Sequence, residues 1–276
     1  MRERSRIPRG LVVLIACGCV LASTAAVLGQ FRGGRIDGGA LAPAEFPDAD
    51  FVVCRLVYTE VRRYGAGWRT DYPLGERNLS IRLSELTRTR VSHGRGRMPN
   101  HYVVRLSDDQ LFSCPFLMAG DPGSMGIGAE DARRLREYLL KGGFLWTDDH
   151  WGSEEWEVWT QEIAKVFPPS EYPIEEITPA DPIFKTQFVV PEMPQIPNIG
   201  YWRRSGGDTS EQGSDSAVPR FHVIRDHHGR IMLAMTHNTD IADAFEREAD
   251  DPRFFSRFSP TGYALGINVM LYAMTH

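Results

Sequence analysis

Apolar positions along the chain fall into short blocks of two kinds. Phe51 to Thr59 (FVVCRLVYT) is almost continuously apolar or β-branched, as a strand buried on both faces requires. A loop rich in Gly, Tyr and Trp follows (RRYGAGWRTDYPLGE), after which Leu79, Leu83 and Leu86 recur at helical spacing behind Asn78, a suitable cap. His101 to Leu106 and Leu111 to Gly120 read as two further strands. Gly128 to Leu140 carries Ala132, Leu135 and Leu139 on one helical face; Gly142-Gly143 stops it, and Phe144 to Thr147 reads as a strand. Trp156, Trp159, Ile163 and Val166 mark the buried stripe of a helix capped at Ser153 and ended by Pro168-Pro169. Strand, helix, strand, strand, helix, strand, helix predicts a three-layer α/β fold on a mostly parallel sheet.

The C-terminal half is less regular. Arg220 to Arg225 and Arg230 to Thr236, joined by Asp226-His227-His228-Gly229, predict a hairpin, and Gly262 to Met274 a buried terminal helix. Tyr172 to Asp215 holds six of the 18 prolines, which predicts long loops.

The N-terminus differs from everything after it. Arg2, Arg4, Arg6 and Arg9 stand against Glu3, and Gly10 to Gly29 then runs without a charge. At about 1.5 Å per helical residue this run matches a hydrocarbon core of roughly 30 Å, with the arginines on the cytoplasmic side. Residues 1–29 are therefore expected to be an export signal or a membrane anchor, residues 30–50 a Gly, Ala and Pro-rich tether, and residues 51–276 a single domain outside the cytoplasmic membrane, periplasmic or anchored. Val27-Leu28-Gly29 suits a signal peptidase, whereas the length of the run suits an anchor, and both alternatives stay open. Taking four arginines and one glutamate from the totals of 31 and 36 leaves 27 basic and 35 acidic residues, a net of −8. That balance argues against nucleic acid as a partner.

Four cysteines are too few for a disulfide-built scaffold, and neither C-x-x-C nor H-E-x-x-H occurs. Outside the N-terminal segment only Cys54 and Cys114 remain. Each sits in an apolar stretch, so the leading expectation is two buried thiols on neighbouring strands, while an oxidising compartment keeps a disulfide open.

In open α/β sheets, ligands lie beyond the carboxyl ends of the strands, where the strand order reverses. That rule selects Asp121, then Asp148, Asp149, His150 and Trp151, as residues that follow expected strands. Two carboxylates and an imidazole could hold a divalent cation or serve as acid and base, with helix capping as the alternative role. Thr236-His237-Asn238-Thr239-Asp240 makes a second cluster at a strand end, where His237 and Asp240 could be metal ligands and Asn238 and Asp240 could equally be turn and cap residues. The loop Tyr201 to Glu211 places Arg203, Arg204, Thr209 and Ser210 among glycines, a weak match to an anion-cradling nest. Tyr64, Trp68, Tyr72, Trp151, Tyr201 and Trp202 could stack on a sugar, although most such residues are core. Gly-x-Ser-x-Gly is absent, so a nucleophile elbow has no support.

Several stretches together resemble a bacterial family, the domain of unknown function 4159. They are CRLVYTE with its Tyr-Gly-x-Gly-Trp loop, LREYLLKGGFLWTDDHWGS (Leu135 to Ser153), YWRRSGGDTSEQGSDS, THNTDIADAFERE and SPTGYALGINVMLYAMTH. The resemblance covers nearly all of Phe51 to His276. It implies a flavodoxin-like sandwich similar to class I glutamine amidotransferases, and it brings no known activity. In those enzymes the nucleophilic cysteine sits on a sharp turn after a central strand; the turn that matches it here, Thr147-Asp148-Asp149-His150, has none. Amidotransferase activity is not expected.

The leading expectation for function is a non-catalytic module of the cell envelope that binds a small polar ligand or an envelope protein in a crevice of Asp121, Asp148, Asp149, His150, the Arg203-Arg204 loop and His237 to Asp240. The competing expectation is a metal-assisted hydrolase of an envelope carbohydrate or other small polar substrate, with Asp148, Asp149, His150 and His237 as ligands or acid/base groups. A purely structural role would leave each of these groups paired with a local backbone cap.

Overall fold

The computed structural model describes residues 35–36, 39–62 and 66–276. The expected signal or anchor, most of the first part of the tether, and Tyr64 lie outside the described residues. The chain divides into two compact units, Met1–Leu41 and Ala42–His276. In the first, Arg35–Ile36 pairs antiparallel with Gly39–Ala40. No helix among the described residues is long and apolar enough to cross a membrane.

The second unit is built on seven strands: β1 (Val53–Val57), β2 (His101–Arg105), β3 (Leu117–Gly120), β4 (Leu145–His150), β5 (Glu175–Ile177), β6 (Arg220–Arg225) and β7 (Ile231–His237). Their spatial order is β2-β1-β3-β4-β7-β6-β5. The first five in that order run parallel, and β6 and β5 add an antiparallel edge. This is the three-layer α/β sandwich that the sequence predicts. Helices α1 (Leu74–Leu86) and α6 (Pro252–Thr275) cover one face, where Leu79, Leu83 and Leu265 pack with Val53, Met118 and Trp146. Helices α2 (Ala129–Leu140) and α3 (Gly152–Ala164) cover the other, burying Leu135, Leu139, Trp159 and Ile163. Two shorter helices, α4 (Ile199–Ser205) and α5 (Asp243–Glu246), border the C-terminal ends of the strands.

A pair of opposite charges lies inside this core. Arg55, in the middle of β1, is fully buried and paired with the equally buried Glu76 of α1. Neither charge can be solvated there, so each needs the other. Its guanidinium also explains Gly120 at the end of β3, where a Cβ would stand 2.9 Å from Arg55 Nη1 and 3.1 Å from Thr70.

Several boundaries differ from the sequence reading. The strand expected over Leu111–Gly120 is a short 3-10 turn (Asp109–Ser113) followed by β3, because Pro115 offers no N–H to the ladder. Cys114 therefore lies just outside the sheet rather than on a strand, and it forms a disulfide with Cys54, Cα to Cα 6.0 Å. The expectation of two free thiols is corrected. Strand β4 runs to His150, three residues past Thr147, so the acids placed after a strand belong to its last turns. Helix α1 begins at Leu74, and Asn78 lies within it, donating to the Phe245 carbonyl at 2.8 Å. Ser153 is not the cap of α3; Trp151 is, and the Ser153 hydroxyl donates to Asp215 at 3.0 Å. Helix α6 starts ten residues before Gly262, where Asp251 accepts from the Arg253 N–H and Pro252 takes the first helical position.

Candidate functional site

The chain goes from β1 to β2 on one side and then returns to β3 on the other, so the strand order reverses between β1 and β3. A crevice should open at their carboxyl ends, and one does, with a volume of about 390 Å³. Its walls carry the carboxyl groups of Asp71, Asp121, Asp149 and Asp240. Glu155 at the start of α3, Glu211 of the loop after α4, and Glu246 of α5 stand around them, with Arg69 and Arg247 as the basic residues of the lining.

The backbone that presents these groups is unusual. Asp121 follows β3 at φ 47°, Asp149 within β4 at φ 64°, and Asn238 follows β7 at φ 60°; Asp71, in the loop before α1, has φ 64°. Left-handed backbone is disfavoured for every residue with a Cβ, least so for Asp and Asn. Three neighbouring parallel strands thus end in, or just before, an Asp or Asn held in this conformation.

Burial raises the four aspartates of the crevice, and repulsion from neighbouring carboxylates adds to it. Asp121 Oδ2 accepts from the Gly67 N–H at 3.1 Å, yet burial and then the Glu155 charge push the group up to about 7. Asp149 Oδ1 accepts from the Trp151 indole at 2.8 Å, and the group is raised well above the usual carboxylate range by burial and then by Asp148 and Asp121. Asp240 Oδ1 accepts from the Asp243 N–H at 2.9 Å and is raised well above the carboxylate range by burial, then by Asp71 and Asp149. Asp243 Oδ2 accepts from the Ile199 N–H at 2.7 Å, and burial brings this group to about 7. Asp71 is raised well above the usual range by burial, then by Asp243 and Asp149, and its Oδ2 has no hydrogen-bond partner among the described residues. One ligand atom from each of Asp71, Asp240 and Asp243 lies within 4.8 Å of the other two. Each of these carboxyls therefore keeps its proton to higher pH than a solvated one, and a protonated carboxyl can donate as well as accept a hydrogen bond.

Of the residues singled out from sequence, Asp121, Asp149, Trp151 and Asp240 line this crevice. The others have different surroundings. Asp148 is fully buried and holds the chain after β7, accepting from Thr236 Oγ1 and, at 2.8 Å, from the Ala242 N–H; burial pushes it up to about 6. His150 and His237 point beneath α3 instead. His150 lies against Trp156 and Trp159, and His237 stacks on Trp156 and donates from Nε2 to the Gly152 carbonyl at 3.0 Å. Neither imidazole reaches the acids, so the expected grouping of Asp148, Asp149, His150 and His237 does not form. Asn238 accepts from the Gly152 N–H and donates to the Val218 carbonyl, both at 2.9 Å, which is a structural role.

The loop after Tyr201 does not form an anion nest either. Tyr201 to Ser205 belong to α4; the Tyr201 hydroxyl donates to the Ser210 carbonyl at 2.7 Å, and Arg203 donates to the Asp250 carbonyl at 3.0 Å. Thr209 and Ser210 spend their hydroxyls on Gln195 and Gly213. Arg204 offsets the charge of Glu211, which is the group this loop contributes to the crevice. An acidic wall there is the opposite of a phosphate cradle. Among the aromatic candidates, Trp68 is buried, the Tyr72 hydroxyl meets His101 Nδ1 at 2.9 Å, and Trp202 packs on Phe254; Trp151 alone of the described candidates lines the crevice.

Sequence reasoning assigned no role to Asp71, Glu155, Glu211, Asp243 or Glu246. The signals were weak: Asp71 sits before Tyr-Pro in a loop, and Glu155 resembles an ordinary first-turn helix acid, which it partly is, since it accepts from the Trp151 N–H at 2.6 Å.

No curated protein matches the chain. A family model matches residues 53–274, which takes in every strand of the seven-stranded sheet and every residue of the crevice. The chain therefore belongs to the family described as a domain of unknown function, DUF4159.

Proposed function

We propose that this chain is an exported binding module of the cell envelope, and that the acidic crevice takes a small polar ligand bearing hydroxyl or cationic groups. The observation that carries the reading is the convergence of carboxyl groups from four separate chain segments on one cavity at the reversal of strand order. Buried carboxyls that raise one another are costly in the free protein. A ligand that brings hydrogen-bond donors or positive charge relieves that cost, so binding energy is available without any rearrangement of the sheet. A polyanion would meet repulsion, which argues against nucleic acid. The Cys54–Cys114 disulfide supports an oxidising compartment, in keeping with the export expected from the N-terminal segment.

A second reading, hydrolysis of an envelope carbohydrate or other small polar substrate, is favoured by one feature. Asp121 is held near 7, where a carboxyl group can act as acid or base at physiological pH.

The test is a thermal-shift series on the full chain with N-acetylglucosamine, glucose and spermidine, beside Asp149→Asn. At a ligand concentration of 100 times Kd the native state gains about 2.7 kcal/mol. A compound that raises Tm in the native protein and not in the variant supports the crevice as its site. Equal shifts in both, or none with any compound, refute it.

A further inference from the structure

We propose that Asp71, Asp240 and Asp243 together bind one hard divalent cation in this crevice, Ca2+ in preference to Mg2+. The inference deepens the binding reading above and rests on it.

Two independent observations carry it. The first is geometric: one oxygen from each of the three side chains lies within 4.8 Å of the other two. Oxygens around Mg2+ are separated by about 3 Å in cis and about 4 Å in trans, and around Ca2+ by about 3.4 and about 4.8 Å. Three oxygens inside that limit can be reached by a single ion with small side-chain rotations. The second is an unmet requirement. Asp71 is 8% exposed, and its Oδ2 has no hydrogen-bond partner among the described residues. A buried carboxylate oxygen is stable only when it is protonated, hydrogen-bonded or bound to a cation.

The buried Arg55 acts on Asp71 through its charge, with its ion pair made to Glu76, and Arg247 does not fill the role either. Arg247 Nε stands 3.5 Å from Asp243 Oδ1, a long contact, and turns instead to Glu246 at 2.8 Å. One oxygen each of Asp240 and Asp243 accepts from the Asp243 and Ile199 N–H groups, which fixes the two carboxyls without neutralising them. All donors are oxygen, the set that hard cations take and that soft thiophilic ions do not. Ca2+ accepts six to eight ligands in flexible geometry, so three carboxylates leave positions for water and for hydroxyl groups of a ligand entering the crevice. The polar ligand of the preceding section would then be read partly through the ion.

The experiment uses the full chain, stripped with EDTA and dialysed. CaCl2 and MgCl2 are titrated calorimetrically, and TbCl3 is followed by luminescence sensitised through tryptophan, with Trp151 in the wall of the same cavity. The expected result is one ion per chain, Ca2+ tighter than Mg2+ by tenfold or more. Asp71→Asn is the informative variant, because Asn adopts the φ of 64° as readily as Asp. It should weaken Ca2+ at least tenfold while its Tm in EDTA is equal to or above that of the native protein, which separates lost binding from lost folding. Glu157→Gln, exposed on α3 and outside the cavity, should bind Ca2+ within threefold of the native affinity.

Absence of heat and of sensitised luminescence up to about 10 mM, tenfold beyond the weakest extracellular calcium modules, overturns the proposal. So does unchanged affinity in Asp71→Asn. If no ion binds but a polar ligand still stabilises the EDTA-treated protein through Asp149, the cation falls and the crevice reading stands. If neither binds, both fall.

Discussion

Removing the Cys54–Cys114 bridge perturbs one covalent link and no charge. The two cysteines are 60 residues apart in sequence, and both are buried, at 0% and 3% exposure. Closing a loop of that length removes freedom from the unfolded chain worth roughly 4 kcal/mol at 25 °C in the chain-entropy model. That is about a thousandfold in the folding equilibrium. With a urea slope of about 2–3 kcal/mol per molar, the unfolding midpoint should fall by roughly 1.5–2 M. The assay is urea denaturation followed by tryptophan fluorescence, on the native chain with and without dithiothreitol and on Cys54→Ala/Cys114→Ala. The reductant should bring the native chain close to the variant, and should leave the variant unchanged. A midpoint that moves less than about 0.3 M on reduction, or a double variant as stable as the oxidised protein, would refute both the link and the compartment inferred from it.

Three further outcomes follow from the buried charges. Asp121 is raised to about 7, so the folded state holds a proton that the unfolded state releases above the ordinary carboxylate range; this contribution is full only below about pH 4 and is lost as pH rises from there through 7. In EDTA, Asp121→Asn should flatten the decline between pH 6 and 8 by on the order of 1–2 kcal/mol, read from urea midpoints. His222 is lowered to about 4 by burial and then by His237, and His150 and His237 are lowered too. Here the unfolded state binds the extra protons, so stability is full above 6.5 and falls as pH drops toward 4; His222→Gln should shallow that fall and change Trp156 emission, since the two rings stack at 4.3 Å. Glu76→Gln strands the Arg55 charge inside the core and should cost about 3–5 kcal/mol, whereas the volume-matched pair Arg55→Met with Glu76→Met should recover most of it; equal losses in the single and double variants would show that the pair is not the cause.

The layers of the fold were legible because continuous apolar strands and helical stripes are one-dimensional signals. Phe51 to Val57 and Leu135 to Leu139 state their environment in their own spacing. The disulfide was not legible, since it depends on Pro115 cutting the third strand short and leaving Cys114 beside Cys54. The site was half legible. The rule that ligands sit at strand ends selects Asp121, Asp149 and Asp240 from their place in the chain, but it cannot say which way a side chain points. Within β4 successive residues alternate between the faces of the sheet, and the left-handed turn at Asp149 breaks that alternation; so Asp148, Asp149 and His150 go to three different environments. Asp71 and Asp243 were hidden for another reason, because their partnership joins segments separated by more than half the chain.

The backbone at these positions argues for a purpose beyond packing. A non-glycine residue in the left-handed region costs on the order of 1–2 kcal/mol, and glycine at the ends of β3, β4 and β7 would avoid it. The chain uses glycine freely where only conformation matters, as at Gly142 and Gly229. At Asp71, Asp121 and Asp149 it instead accepts the strain and, in addition, the repulsion among carboxyls that the same side chains create. Packing does not reward that combination: the first cost could be removed by glycine and the second by asparagine. Asn238 shows the alternative, a left-handed residue whose amide is fully used in holding Gly152 and Val218 and which adds no charge. The three aspartates keep ionisable groups whose charged form is disfavoured in the ligand-free protein. Strain and charge both concentrate where a ligand or cation can repay them, and that is the physical reason to look for binding at this end of the sheet.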